Sequence, residues 1–262
     1  MRLLTRCPST FVLFVGFFLC GQALTANRPV VPGRHTGNET QEYYLKKAGV
    51  STDLASLIRA ARSNNDLLVR AFAVELLGAR NERSAIPTLE TVYKLDQESL
   101  IRETAALALA SMEVPGAVEK LEECLRKNVR GLDRQVYLAI RLVEFGDHVG
   151  YQYVVAAARS TDPYLRDLAA MGLVRFGTSG WTGTDPETLP VTLLGKLLND
   201  PVARVRRAVI VNISGVSRGF DPTEFVAKIA TLAKADPDPD VRHAAEIFLF
   251  FHKPARPEEA TP

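Results

Sequence analysis

The strongest constraint in this sequence is an arginine that returns at a fixed interval. Arg70, Arg102, Arg134 and Arg166 are each 32 residues apart, and Arg206 and Arg242 follow at gaps of 40 and 36. Each sits in a similar step: VRAFA, IRETA, DRQVY, LRDLA, VRRAV and VRHAA. A period of this length across six segments describes similar units that each bury one face against a neighbour. It argues against a single core assembled from unlike elements.

Two further columns follow the same register. Thirteen residues before each arginine stand Leu57, Leu89, Leu121, Tyr153, Leu193 and Ile229, all apolar. Three residues after each come Ala73, Ala105, Tyr137, Ala169, Val209 and Ala245, mostly small, as close helix approach requires. Both columns survive the longer gaps, so the extra residues precede the first helix of a unit. They fall in GTSGWTGTDPETLP (177–190) and near SRGFDPT (217–223).

Each unit reads as two helices. The first is amphipathic, as in Ile86, Leu89, Val92 and Tyr93. The second, such as LLVRAFAVELLG (67–78), is apolar on most sides and needs cover on most faces. Gly78, Gly146 and Gly177 suit helix ends. Period-2 alternation is weak, so strands are not expected. The expected fold is all-α, an α-solenoid of about six helix pairs over residues 50–252.

The residues Asp162-Pro163-Tyr-Leu-Arg166, Asp200-Pro201-Val-Ala-Arg-Val-Arg206 and Asp238-Pro239-Asp-Val-Arg242 resemble the short-period HEAT-like repeats of bacterial proteins, related to those of phycobilisome lyases. The resemblance covers nearly all of residues 50–252. It speaks for architecture and leaves function open, because such repeats serve scaffolds, adaptors and a few enzymes. It also implies that Asp and Arg residues cross-link neighbouring repeats as a polar ladder. Asp66, Asp162 and Asp238, with Glu98, stand four residues before their arginines. The ladder is therefore expected from Arg70, Arg102, Arg134, Arg166, Arg206 and Arg242 with Asp66, Asp162 and Asp238. Asp before Pro163 or Pro201 also reads as an N-cap with proline in the first turn. The third unit departs from the pattern, with Asp133 in an apolar place, and its second helix is expected to start late.

The amino terminus carries an address. Arg2 and Arg6 precede the apolar run FVLFVGFFLC (11–20), and small residues follow at Ala23 and Ala26. This is the layout of a secretory signal peptide, residues 1–23, with cleavage near 23–26. The alternative is a lipid-modified Cys20, although Leu19 precedes it where a small residue is usual. Export to the periplasm or the exterior is expected. Membrane association is expected only through an uncleaved or lipidated amino terminus. Residues 24–49 form a flexible lead-in with a short helix, extended over 27–42, and 253–262 a disordered tail.

Without the signal, 30 Lys and Arg face 30 Asp and Glu. That balance gives no net basic field for nucleic acid. Of the cysteines, only Cys124 remains, so no internal disulfide can form. The histidines at 35, 148, 243 and 252 show no metal-ligand spacing. The Asp236, Asp238 and Asp240 run lacks the glycine and distal glutamate of a calcium loop. Neither a cofactor nor a metal is expected.

The expected function is an exported scaffold that binds another protein and has no catalysis of its own. The alternative is a lyase-like enzyme or subunit, for which Tyr137, Arg141, Asn212 and His243 are the polar residues on offer. Possible partner contacts are Trp181, either a lid or an exposed anchor, and Phe248, Phe250 and Phe251 of IFLFFHK. A hydrophobic final helix is covered from within or meets another chain, since terminal repeats usually turn a polar face outward.

Overall fold

The computed structural model describes residues 39–127, 131–181, 183, 185–215 and 221–252. The expected signal, most of the lead-in and the tail lie outside the described residues. Within them the chain is helical and carries no strand. The helices are α1 (Glu39–Lys47), α2 (Leu54–Ser63), α3 (Leu67–Ala79), α4 (Ile86–Leu95), α5 (Ser99–Ser111), α6 (Ala117–Lys127), α7 (Leu132–Glu144), α8 (Tyr151–Ala158), α9 (Pro163–Thr178), α10 (Pro190–Leu197), α11 (Ala203–Ser214), α12 (Thr223–Ala235) and α13 (Pro239–Phe251). From α2 onward they alternate as first and second helices of six pairs. The chain divides into two compact units, 1–124 and 125–262, and the division falls within α6.

In the first unit α2 packs on α3, α4 packs on α5, and α3 lies against α5. In the second unit α9 packs on α8 and α10, and α12 packs on α13. The second helices of this unit form their own layer: α7 meets α9, α9 meets α11, and α11 meets α13. Each unit is thus a short α-solenoid in which second helices stack on second helices.

The repeat columns explain that layer. Ala73, Ala105, Tyr137, Ala169, Val209 and Ala245 are all buried. Small residues there let backbones approach. At Gly78 the approach is closest: a Cβ would meet the Ala108 Cβ at 2.7 Å and its Cα at 2.9 Å. The glycine therefore serves packing inside the last turn of α3. Gly146, in contrast, takes φ +84 just past α7, as a helix-ending residue does. Of the first-helix column, Leu57, Leu89, Leu121, Leu193 and Ile229 are buried, and Tyr153 is only partly so. In α8 the core side chains are Tyr151, Val154 and Ala157.

Two expectations on helix starts have clear outcomes. α7 begins two residues before Arg134, where the other second helices begin three before their arginines. Its N-cap is Gly131, with no side-chain cap bond. Pro163 is the first residue of α9, but Pro201 lies before α11, which starts at Ala203. The lead-in expected to be extended over 27–42 is helical from Glu39. α1 buries Leu45 and stacks Tyr44 on Phe72 with ring centroids 5.4 Å apart.

Candidate functional site: the arginine ladder and an exposed helix strip

Five arginines of the ladder begin from the same local anchor. A carbonyl six residues earlier accepts from Nη1: Asn64 for Arg70 at 2.7 Å, Asp96 for Arg102 at 2.6 Å and Ser160 for Arg166 at 3.0 Å. Asp200 does so for Arg206 at 2.8 Å and Asp236 for Arg242 at 2.7 Å. The side chain of that same residue accepts from the N–H two positions on, at 2.8 to 3.1 Å. A tight polar turn thus launches the second helix and holds its arginine at a fixed angle.

The free edge of the guanidinium then reaches the next unit. Arg166 clasps Asp200 through Nε at 2.6 Å and Nη2 at 2.9 Å. Arg206 clasps Asp236 through both nitrogens at 2.7 Å. These are two-pronged ion pairs, the strong form of the contact. Arg70 approaches Asp96 at 3.2 Å, and its Nε makes no hydrogen bond there. At the place matching Asp96, Asp200 and Asp236 the register gives Arg134 a serine, Ser160, and the Arg134 guanidinium lies 4.5 Å from the centre of the Tyr137 ring. The matching place for Arg102 is residue 128, outside the described residues.

The carboxylates of the ladder are therefore Asp96, Asp200 and Asp236, and the expectation for Asp66, Asp162 and Asp238 needs correction. Those three cap their own helices. Asp66 accepts from Leu68 N at 2.8 Å, Asp162 from Tyr164 N at 2.8 Å, and Asp238 from Asp240 N at 2.9 Å. The physical reason is reach: an N-cap side chain turns back onto the first free N–H groups of its helix. The sequence held the right signal two residues upstream. Six before each arginine stand Asn64, Asp96, Asn128, Ser160, Asp200 and Asp236, a fuller polar column than the one four before.

Electrostatics follow the geometry. The bidentate bond from Arg206 holds the Asp236 carboxyl below the usual carboxylate range. Burial alone would raise Asp200, but the bonds from Arg166 and from the Val202 N–H outweigh it, and the net shift is downward. Both arginines are held further up by the same bonds.

The other expected contacts divide. Trp181 faces inward: its ring lies 3.8 Å, centroid to centroid, from Tyr151 and meets Phe176 edge-on at 6.3 Å. Gly183 lies directly over it, since a Cβ there would stand 2.1 Å from the indole. Tyr151 donates its hydroxyl to the Thr188 carbonyl. Trp181 thus pins the loop before α10, and is not the exposed anchor. Phe248 is fully buried and cannot contact a partner. Phe250 and Phe251 are 70% and 72% exposed.

Those two belong to a wider pattern. Of the large exposed hydrophobic residues, Tyr164, Val211, Ile247, Phe250 and Phe251 all lie on α9, α11 and α13. Five residues after their arginines stand Met171, Val211 and Ile247, so stacked helices set them side by side. Met171 is half-buried, and Val211 and Ile247 are 51% and 43% exposed. Arg204 borders this strip, ion-paired to Asp167 at 2.6 Å and 5.6 Å from the Tyr164 ring.

The polar residues named for a lyase-like site do not converge. Tyr137 and Arg141 are buried on α7, and Arg141 pairs with Glu144. Asn212 donates to the Ala208 carbonyl of its own helix α11 at 2.8 Å. His243 is exposed on α13, and α9 stands between α7 and α11. Among the described residues no group of three His, Cys, Asp or Glu side chains is placed to hold a metal, and no helix is long and apolar enough to cross a membrane.

Residues 54–141 match the HEAT repeats family. That stretch carries HEAT repeats. The matched stretch runs from α2 into α7, and the same arginine register continues through the helix pairs beyond it. Among solved structures, one similar chain belongs to the complex of CpcE and CpcF of phycocyanin lyase from Nostoc sp. PCC7120. It is 16% identical, with a TM-score of 0.43, over 90% of this chain and 95% of that one. No curated protein matches the sequence.

Proposed function

We propose that this HEAT-repeat chain is an exported scaffold that binds another protein through the strip on α9, α11 and α13. The observation that carries the reading is the placement of the exposed apolar side chains. Tyr164, Val211, Ile247 and Phe251 lie on second helices of one unit, although the repeat register makes second helices the most buried part of the fold. Contiguous exposed apolar surface on a soluble domain marks an interaction site. A polar border of Arg204, Asp167 and Arg207 suits the rim of such an interface. Export rests on the basic and apolar order of residues 2–23.

The test pairs location with binding. An affinity-tagged chain is recovered from the exported fraction of cells, and co-purifying proteins are compared with those of Val211→Asp/Ile247→Asp. The reading expects a partner retained by the parent and lost by the variant at equal helix content. A tagged chain found only in the cytoplasm, or a variant with an unchanged partner set, would refute it.

A further inference from the structure

α13 is the last described helix, and the register allows comparison with the second helices before it. Four residues after the arginines stand Val74, Ala106, Leu138, Ala170 and Ile210, every one buried. The sixth member is Glu246, exposed. Eight after stand Gly78, Ala110, Leu142, Val174 and Ser214, and then the exposed Phe250. The first helix of the pair matches. Val226, Ala230 and Ala233 on α12 are half-buried where Pro190, Leu194 and Leu197 on α10 are buried.

Arg242 keeps the ladder pose on this face. Its Nη1 donates to the carbonyls of Asp236 at 2.7 Å and Pro237 at 3.2 Å. Arg206 does the same to Asp200 at 2.8 Å and Pro201 at 3.2 Å, while its outer edge clasps Asp236. Among the described residues no carboxylate takes the outer edge of Arg242. The face is therefore apolar on both helices, with a cation presented as Arg206 presents its own, and an anion one turn away.

We propose that this face seats a second copy of the chain across a two-fold axis, so that Arg242 of each copy pairs with the partner's Glu246. A two-fold contact is self-complementary: if one residue meets another, the reverse meeting also occurs. One helix carrying Arg and Glu four residues apart supplies both halves of that exchange. A further HEAT-like pair fits worse. The five earlier members at the Glu246 place are apolar and buried, so continued stacking would press Glu246 onto an apolar face. Phe250, with Val226, Ala230 and Ala233, supplies the apolar contact around the charges. This surface is distinct from the Val211 and Ile247 strip, so either proposal can fail alone.

The test is mass in solution by light scattering across a concentration series, on the mature chain. The parent is expected to approach twice the monomer mass. Glu246→Arg sets arginine against the partner's Arg242, and is expected to stay monomeric. Phe250→Ser is expected to weaken association at least tenfold. Arg242→Glu alone is expected to be monomeric, and an equimolar mixture with Glu246→Arg to recover a dimer, because each contact is then opposite in charge. Circular dichroism of each variant checks that helix content is kept. A parent that is monomeric throughout overturns the proposal. A dimer indifferent to both Glu246→Arg and Phe250→Ser does so as well, and those two exposed sites decide the matter even where Arg242→Glu disturbs folding.

Discussion

The two aspartates of the DPDP stretch should differ sharply in what their loss costs. Asp236 accepts two bonds from Arg206 at 2.7 Å and one from the Asp238 N–H at 2.9 Å. The two side chains of the pair are 9% and 1% exposed. Asp236→Ala leaves Arg206 buried without its anion, which costs about 3–5 kcal/mol. The lost bond to the Asp238 N–H adds roughly 1 kcal/mol. Asp238→Ala removes a helix cap worth about 1 kcal/mol. The gap between the variants is therefore about 3 kcal/mol or more. The assay is urea unfolding followed by circular dichroism. With a slope of roughly 1–3 kcal/mol per molar urea, the midpoints should separate by about 1–3 M. Replacing both partners, as Arg206→Met with Asp236→Leu, should recover much of the loss, because no buried charge is then unpaired. Equal costs for Asp236→Ala and Asp238→Ala, or a larger cost at Asp238, would refute the reasoning.

Other outcomes follow from the same geometry. Asp200 and Asp236 have folded pKa values below their unfolded value near 4. Their stabilisation is therefore complete above about pH 4 and is lost as pH falls through the lowered folded values. The urea midpoint should drop in that acid range, and Asp236→Asn should flatten the drop; parallel curves would speak against it. Gly78→Ala forces α3 and α5 apart at Ala108, and should cost about 1–3 kcal/mol in thermal unfolding. Gly183→Ala should displace the indole of Trp181 and shift its fluorescence to longer wavelength, which an inward-facing ring requires and an exposed one does not. Phe248→Ala should cost about 3–5 kcal/mol, read from the same unfolding curves.

The helix pairs were legible because stacking imposes one environment on six positions, and six copies average out local exceptions. The arginine column and the small column three residues on state the second-helix layer almost directly. The carboxylates were misread because Asp occurs at two nearby places with two tasks. In DPDPDVR both are present: Asp236 reaches back to the preceding unit, and Asp238 caps α13. Asp200-Pro201 looks like Asp162-Pro163 but sits two residues earlier in the register, so it is a rung and not a cap. A short helix was expected within 24–49, but its start at Glu39 was misread as extended chain because the apolar residues that ETQEYYLKK turns to the core are few, chiefly Tyr44 and Leu45, too little for a periodic signal. Trp181 could not be placed from its loop sequence, since its contact with Tyr151 spans 30 residues and depends on how the loop returns to α10. The strip was hidden for a related reason. Val211 and Ile247 look like core residues in sequence, and only the stacking geometry leaves them uncovered.

The claim that this scaffold works through its second helices is tested most directly by photocrosslinking from single positions in living cells. A photoreactive residue is placed at Val211, Ile247 or Phe251 on the strip, or at Leu95, exposed but on the other unit. The account predicts one shared protein adduct from the three strip positions and none of that protein from Leu95. No adduct from the strip, or the same adducts from Leu95, would contradict it.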